Sequence, residues 1–229
     1  MIIKNIVILT GAGISAESGI NTFRDSDGLW EGHDVMEVAT PEGFQKNPQL
    51  VLDFYNQRRK QLLEVLPNSA HTNLVLLEKL YNVTIITQNV DDLHERAGSS
   101  KVLHLHGELL KSQSTFDEKL VYSCTSDINI GDTCEKNKQL RPHIVWFGEA
   151  VPMLEKAIDI VAASDILIII GTSMQVYPAA SLVNYIMHNT PIYFIDPNPT
   201  INEKNYNNLT IIDKKATEGT KELLRFLEV

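Results

Sequence analysis

Apolar residues in this chain fall into short continuous runs separated by longer amphipathic stretches. Ile6 to Leu9, Val83 to Thr87, Val102 to Leu105, Ile144 to Phe147, Ile166 to Ile170 and Ile192 to Ile195 are rich in β-branched residues. Such unbroken apolar runs predict strands covered on both faces. Between them, helical spacing predicts helices over Pro48 to Leu66, His71 to Leu80, Met153 to Ala163, Ala179 to His188 and Thr217 to Leu227. The alternation predicts an α/β fold, a doubly wound, Rossmann-like parallel sheet. Two polar stretches, from about Asp25 to Asn68 and Glu108 to Pro142, break the rhythm. They read as insertions, 25–68 and 108–142, forming a smaller module beside a large part made of 1–24, 69–107 and 143–229. One domain of 229 residues is expected, with a cleft where the strands' carboxyl ends meet the insertions.

Composition narrows the classes. Hydrophobic residues make up 43% of the chain, enough for a packed core. Its longest apolar runs fall far short of the roughly 18 to 20 residues of a membrane helix. The start, Met1-Ile2-Ile3-Lys4, lacks the pattern of a secretory signal, so a cytoplasmic protein without membrane attachment is expected. With a net charge of −9 and no run of lysines and arginines, direct nucleic-acid binding is not expected. The two cysteines, Cys124 and Cys134, are not expected to form a structural disulfide in that setting.

Gly11-Ala12-Gly13 follows the first strand and leads into Ile14-Ser15-Ala16-Glu17-Ser18-Gly19, which can open a helix. Glycines there let backbone N–H groups approach a pyrophosphate, although a plain tight turn is the alternative. The third glycine lies six residues past the second, and no acidic residue ends a second strand about 20 positions on. That spacing disfavours a hydride-transferring dehydrogenase. Arg24 in Ile20-Asn21-Thr22-Phe23-Arg24 can neutralise an anion near this loop.

Gly11 to Arg24, Thr87-Gln88-Asn89-Val90-Asp91, His106-Gly107 and Gly171-Thr172-Ser173 together resemble the sirtuin motifs, in the family's order. Resemblance implies an enzyme that uses NAD to remove acyl groups from lysines of other proteins. It implies that Gly11, Ala12, Gly13, Ser15, Ile20, Phe23 and Arg24 hold NAD, and that Gln88 meets ribose hydroxyls. Asn89 and Asp91 would line the nicotinamide pocket, with Asn89 joining His106 in the catalytic set. Read without the family, Asn89 or Asp91 could equally cap a helix toward Ala97. His106 would be the general base, while His104, two residues earlier, reads as structural. Gly171, Thr172 and Ser173 would cradle ribose and phosphates, with Asp196 or Asn198 and Ala216 near the adenosine. Here the chain reads Ile195-Asp196-Pro197-Asn198 where sirtuins place an asparagine at the strand end. Val145, Phe147 and Gly148 resemble the segment that holds substrate backbone as an added strand, and Trp146 could instead serve a core.

Most sirtuins carry two Cys-x-x-Cys pairs around a structural zinc. This chain has Cys124-Thr125-Ser126-Asp127 and Cys134-Glu135-Lys136-Asn137. Two thiolates and the Asp127 carboxylate make a weak donor set, so zinc is expected to be absent and the segment Glu108 to Pro142 to rely on packing or be mobile.

Tyr55 and Arg58 are three apart and share a helix face, which in isolation suits an ordinary surface pair. Tyr-x-x-Arg at this place, with the small Ala16, resembles the sirtuin branch that removes succinyl and malonyl groups. A hydroxyl beside a guanidinium recognises carboxylates. The resemblance therefore implies acylated lysine proteins as partners, succinyl or malonyl as the favoured group, and deacetylation as a further activity. The implied course begins with attack of the acyl oxygen on the ribose carbon, giving an alkylimidate. It ends in free lysine, nicotinamide and 2′-O-acyl-ADP-ribose. Activity is expected to fall as His106 protonates, below about 6.5 for an unperturbed ring. The alternatives are ADP-ribosyl transfer to protein and a non-catalytic sensor of NAD or ADP-ribose.

Overall fold

The computed structural model describes residues 3–21, 29–30, 32–200, 206 and 208–229. Its centre is a six-stranded parallel sheet of β1 (Asn5–Thr10), β4 (Asn82–Thr87), β5 (Val102–His104), β9 (Ile166–Ile170), β10 (Ile192–Ile195) and β11 (Leu209–Ile212). The order is β11-β10-β9-β1-β4-β5. From β1 the chain winds outward to β4 and β5, then returns to β1's other side and winds out through β9, β10 and β11. A crevice therefore opens between the carboxyl ends of β1 and β9, where the winding reverses.

Alternate side chains of these strands feed two cores, because successive residues point to opposite faces. Ile6, Ile8, Ile85 and Ile168 pack with Leu74 of α4 (Ser69–Leu77) and Leu223 of α7 (Ala216–Phe226). Val7, Leu9, Ile169 and Phe194 pack with Val161 of α6 (Leu154–Ala162) and Leu182 of a 3₁₀ segment, Ala179–Tyr185. That segment was expected as an α-helix. β11, Leu209-Thr210-Ile211-Ile212, was not foreseen. Among the described residues no helix is long and apolar enough to cross a membrane.

The two polar stretches hold more structure than their composition suggests. The first contains a two-stranded ribbon, β2 (Leu29–Trp30) and β3 (His33–Asp34), then α1 (Val35–Val38), α2 (Pro41–Lys46) and α3 (Pro48–Glu64). Asn47 caps α3 by accepting from Leu50 N at 3.2 Å, with Pro48 at the first helical position, where its missing N–H costs nothing. The second folds as an antiparallel sheet of β6 (Gly107–Ser114), β7 (Val121–Ser123) and β8 (Leu140–Ile144), in the order β7-β6-β8. This corrects one expectation: the run Ile144 to Phe147 is not a strand of the parallel sheet. Ile144 closes β8, and Val145 and Phe147 follow in a connector held by Val145 N to His106 O and Phe147 N to Ala39 O, both 2.9 Å. Ile144 and Trp146 are buried in the small module's own core, with Trp30, Phe54, Tyr55 and Leu109, whereas Phe147 is exposed.

Side-chain clamps from α3 fix β6 and the loop between β7 and β8. Asn56 accepts from Ile128 N at 2.9 Å and donates to Ile128 O at 3.0 Å. The buried Arg59 donates to Leu109 O at 3.1 Å and to Asn56 Oδ1 at 2.8 Å. Burial lowers the Arg59 pKa, offset in part by Cys124 and Asp127.

The residues present do not fit a structural zinc. Cys124 packs with Leu52 and Ile128, whereas Cys134 Sγ lies 3.4 Å from Ser114 Oγ, whose oxygen also accepts from Phe116 N and Asp117 N. Asp127 pairs with Lys60 at 2.8 Å. Among the described residues no group of three His, Cys, Asp or Glu side chains could hold a metal. A chelator should accordingly leave the thermal midpoint unmoved, whereas Asn56→Ala should lower stability by about 2–4 kcal/mol by orphaning the Ile128 amide and Arg59. Calorimetry with and without chelator and urea titration of the variant check both.

Candidate active site

A cavity of about 710 Å³ occupies the crevice at the carboxyl ends of β1, β4 and β9, beneath the small module. Its floor exists because two loops touch backbone to backbone. Gly13 N donates to Gly171 O at 2.8 Å, and Gly11 N to Ile170 O at 3.0 Å. A Cβ on Gly13 would lie 2.6 Å from Gly171 Cα, and one on Gly11 2.8 Å from Gly171 O. These two glycine N–H groups are therefore engaged within the protein, and the glycines act by permitting loop contact rather than by offering those donors to a phosphate. Instead of an α-helix, two 3₁₀ turns follow, Ala12–Ile14 and Ala16–Ser18, ended by Gly19 at φ +95°.

His106 stands between β5 and β6. Gly107 follows it at φ +83°, and a Cβ there would lie 2.1 Å from His143 O, so this turn takes only glycine. Nδ1 of His106 lies 3.0 Å from Gln88 O. A carbonyl only accepts, so in the neutral ring Nδ1 carries the proton and Nε2 keeps its lone pair. Burial pulls the His106 pKa below the usual 6.5, a shift the Gln88 carbonyl partly offsets. His104 differs: Nδ1 meets Asn89 O at 3.0 Å and Nε2 meets Glu95 at 2.8 Å. Burial lowers its pKa, but the Glu95 carboxylate more than offsets this and the net shift is upward, as suits a structural ion pair.

Ser15, Asn89 and Asp91 form one buried cluster. Ser15 Oγ donates to Asp91 Oδ2 at 2.9 Å and accepts from Asn89 Nδ2 at 3.1 Å. Asp91 Oδ1 also accepts from Leu93 N at 3.2 Å, at the start of α5 (Leu93–Ala97), so helix support and cavity lining coincide in it. Burial raises the Asp91 pKa against these hydrogen bonds. Gln88 Nε2 donates to Thr172 Oγ1 at 3.0 Å, joining the loops after β4 and β9. Across the crevice, Asp196 is buried with Oδ1 accepting from Asn198 N at 2.8 Å, and Asn198 is exposed. Both line the cavity, as do Ala12, Ile20, Ser173 and, at the start of α7, Ala216. Ala16, Tyr55, Arg58, Val145, Phe147 and Gly148 line it as well. Phe23 and Arg24 lie outside the described residues.

With that geometry in view, comparison with known proteins is decisive. The Sir2 family profile matches residues 11–178. The chain belongs to the Sir2 family. A Helicobacter pylori protein named NAD-dependent protein deacylase is 61% identical over 96% of each chain. A Bacteroides thetaiotaomicron protein of the same name is 53% identical over 98% of each. Among solved structures, a Sir2 homologue in complex with NAD superposes with a TM-score of 0.87 at 40% identity, covering 98% of this chain and 90% of that one. A Sir2 protein bound to acetylated peptide gives 0.79 at 30%, covering 97% and 93%. Sirtuin architecture thus extends over essentially the whole chain.

Two histidines that the motifs did not single out support this sirtuin's floor. His71 accepts from Asn68 N at Nδ1, 3.3 Å, so its Nε2–H points toward Ser15 Oγ at 3.5 Å. The signal was present as Asn-x-x-His at a helix start, a capping box. His94 Nε2 lies 3.0 Å from Thr10 Oγ1, and its ring centre is 5.0 Å from that of His71. Burial lowers the His71 pKa to about 4, and burial with the neighbouring histidines pushes His94 well below 6.5. Unfolded histidines bind protons that these folded ones refuse, so stability falls with pH from about 6.5 downward. For His71 that window runs to about 4, a loss on the order of 3 kcal/mol. Urea midpoints at pH 7.5, 5.5 and 4.5 should show a shallower decline for His71→Asn than for the unaltered chain.

Proposed function

We propose that this chain removes succinyl and malonyl groups from lysine side chains of other proteins, with acetyl groups as a further substrate. The enzyme is an NAD-dependent protein deacylase of the sirtuin type; the proposal concerns its acyl group and the roles of its residues. The observation that carries it is the state of Tyr55 and Arg58. Far from being an exposed surface pair, they are 0% and 8% exposed, one helical turn apart, and line the cavity with Ala16. Arg58 is stacked 4.3 Å from the Trp30 ring centre, which holds its guanidinium plane by a cation–π contact. A buried phenol and guanidinium lining the cavity suit an acyl chain that ends in a carboxylate.

NAD, once bound, supplies an electrophilic ribose carbon and nicotinamide as the leaving group. The glycine-floored crevice suits a dinucleotide, since it gathers Gln88, Thr172, Ser173, Asp196 and Ala216 around one cavity with no side chain on its floor. In this reading Asn89 and Asp91, fixed by Ser15, receive the nicotinamide amide. His106 takes a proton from a ribose hydroxyl at Nε2, with the proton at Nδ1 held on Gln88 O. Val145, Phe147 and Gly148 hold the substrate backbone. Nicotinamide and 2′-O-acyl-ADP-ribose are the expected products.

Purified protein given NAD and matched acetyl-, malonyl- and succinyl-lysine peptides should release nicotinamide and lose the acyl mass together, and His106→Ala should stop both. Arg58→Met should lower the ratio of succinyl to acetyl kcat/KM by about tenfold or more, the loss of one charge-assisted contact. Equal losses for both peptides would refute the acyl assignment, and NAD-derived label on protein without acyl loss would favour ADP-ribosyl transfer. Because burial holds the His106 pKa below 6.5, the neutral base persists on acidification. The acid limb of kcat/KM should therefore have its midpoint below 6.5, and a midpoint at or above that value would remove His106 from the base role.

A further inference from the structure

One buried chain of polar contacts ends on Tyr55 and has no part in the chemistry above. Trp146 Nε1 donates to Tyr55 Oη at 3.0 Å, across 91 residues of sequence. Trp146 is itself clamped. Its backbone N donates to Glu149 Oε2 at 2.8 Å, Arg141 lies 4.0 Å over its ring, and Glu149 Oε1 holds Arg141 at 2.8 Å. With its amide oriented to suit its neighbours, Gln113 accepts from Arg141 Nε at 2.9 Å and so fixes the guanidinium from behind.

A phenol has one proton to give and lone pairs to receive, whereas an indole N–H can only donate. The Trp146 contact therefore occupies an acceptor site of the Tyr55 oxygen and leaves its proton for another partner. Burial pushes the Tyr55 pKa far up, so that proton stays on the oxygen at any working pH. We infer that Trp146 is a positioning residue for acyl selectivity: its indole N–H sets the rotation of the Tyr55 hydroxyl so that the phenol proton faces an acyl carboxylate beside Arg58. The inference deepens the succinyl and malonyl reading and rests on it. It also accounts for the clamp on Trp146, since a hydroxyl rotor is only as well aimed as the donor that fixes it.

The test separates the N–H from the ring. Trp146→Phe removes both donor and part of the ring, while benzothienylalanine at 146 keeps the bicyclic shape and puts sulfur in place of the N–H. Both should raise the succinyl-peptide KM about 5- to 10-fold with a much smaller change in kcat. Both should also lower the ratio of succinyl to acetyl kcat/KM. Combined with Tyr55→Phe, neither should lower that ratio further, because Trp146 acts through the hydroxyl that Tyr55→Phe has removed. Equal losses on acetyl and succinyl peptides, an unchanged ratio with benzothienylalanine, or additive losses in the double variant would overturn the inference and leave Trp146 a packing residue. An unaltered enzyme that removes acetyl but neither succinyl nor malonyl would overturn the acyl reading itself, and this inference with it, before any variant is made.

Discussion

The contact between the Gly11–Gly13 loop and Gly171 governs the rest of this structure. Two backbone segments meet at the carboxyl ends of adjacent parallel strands with no side chain between them. Because β1 and β9 are neighbours at the place where the winding reverses, the loops after them must either block the crevice or flatten against each other. Glycine allows the second outcome. Everything placed around the cavity, from Gln88 and Thr172 on one loop pair to Ser15 and Asp91 on another, is referenced to that floor.

Above the floor, several of the polar side chains lining the cavity, Ser15, Asn89, Asp91 and Thr172 among them, are buried. Ser15, Asn89 and Asp91 satisfy each other's hydrogen bonds, and His71 and His94 are kept neutral beneath them by desolvation. Such a network is rigid because loosening any member leaves a buried group unpaired. The same logic recurs in the small module. There Asn56 and Arg59 satisfy, from a helix, the amide and carbonyl of Ile128 in a loop and the carbonyl of Leu109 in β6, and Ser114 gathers Cys134 and two backbone N–H groups. These side-chain clamps on backbone hold a polar sheet that has little apolar area of its own.

The selectivity end of the cavity shows how context changes the meaning of a motif. Tyr55 and Arg58 at helical spacing describe a great many exposed helix faces. What distinguishes them here is burial against Trp30, Phe54 and Trp146, with the indole N–H already bonded to the phenol oxygen. The apolar run Ile144 to Phe147, read as a sheet strand, proves to be the piece that supplies this wall. Its hydrophobicity reports the burial of Ile144 and Trp146 and says nothing of which core does the burying.

The sequence by itself determined five of the six strands of the parallel sheet, as short apolar runs, and it determined the order of the glycine, Gln-Asn-Val-Asp and His-Gly segments along the crevice. Both are local properties, carried by periodicity and by turns such as the one that only Gly107 can make. Tertiary structure alone decided the pairings: Trp146 with Tyr55, His71 with Ser15, Cys134 with Ser114 in place of Cys124, and Asn56 with Ile128. Those partners lie between 20 and 91 residues apart. No local signal specifies them, since which polar group meets which depends on how helices and strands pack once the apolar faces are buried. Desolvation then keeps His71 and His94 neutral, whereas the Glu95 carboxylate draws His104 into an ion pair.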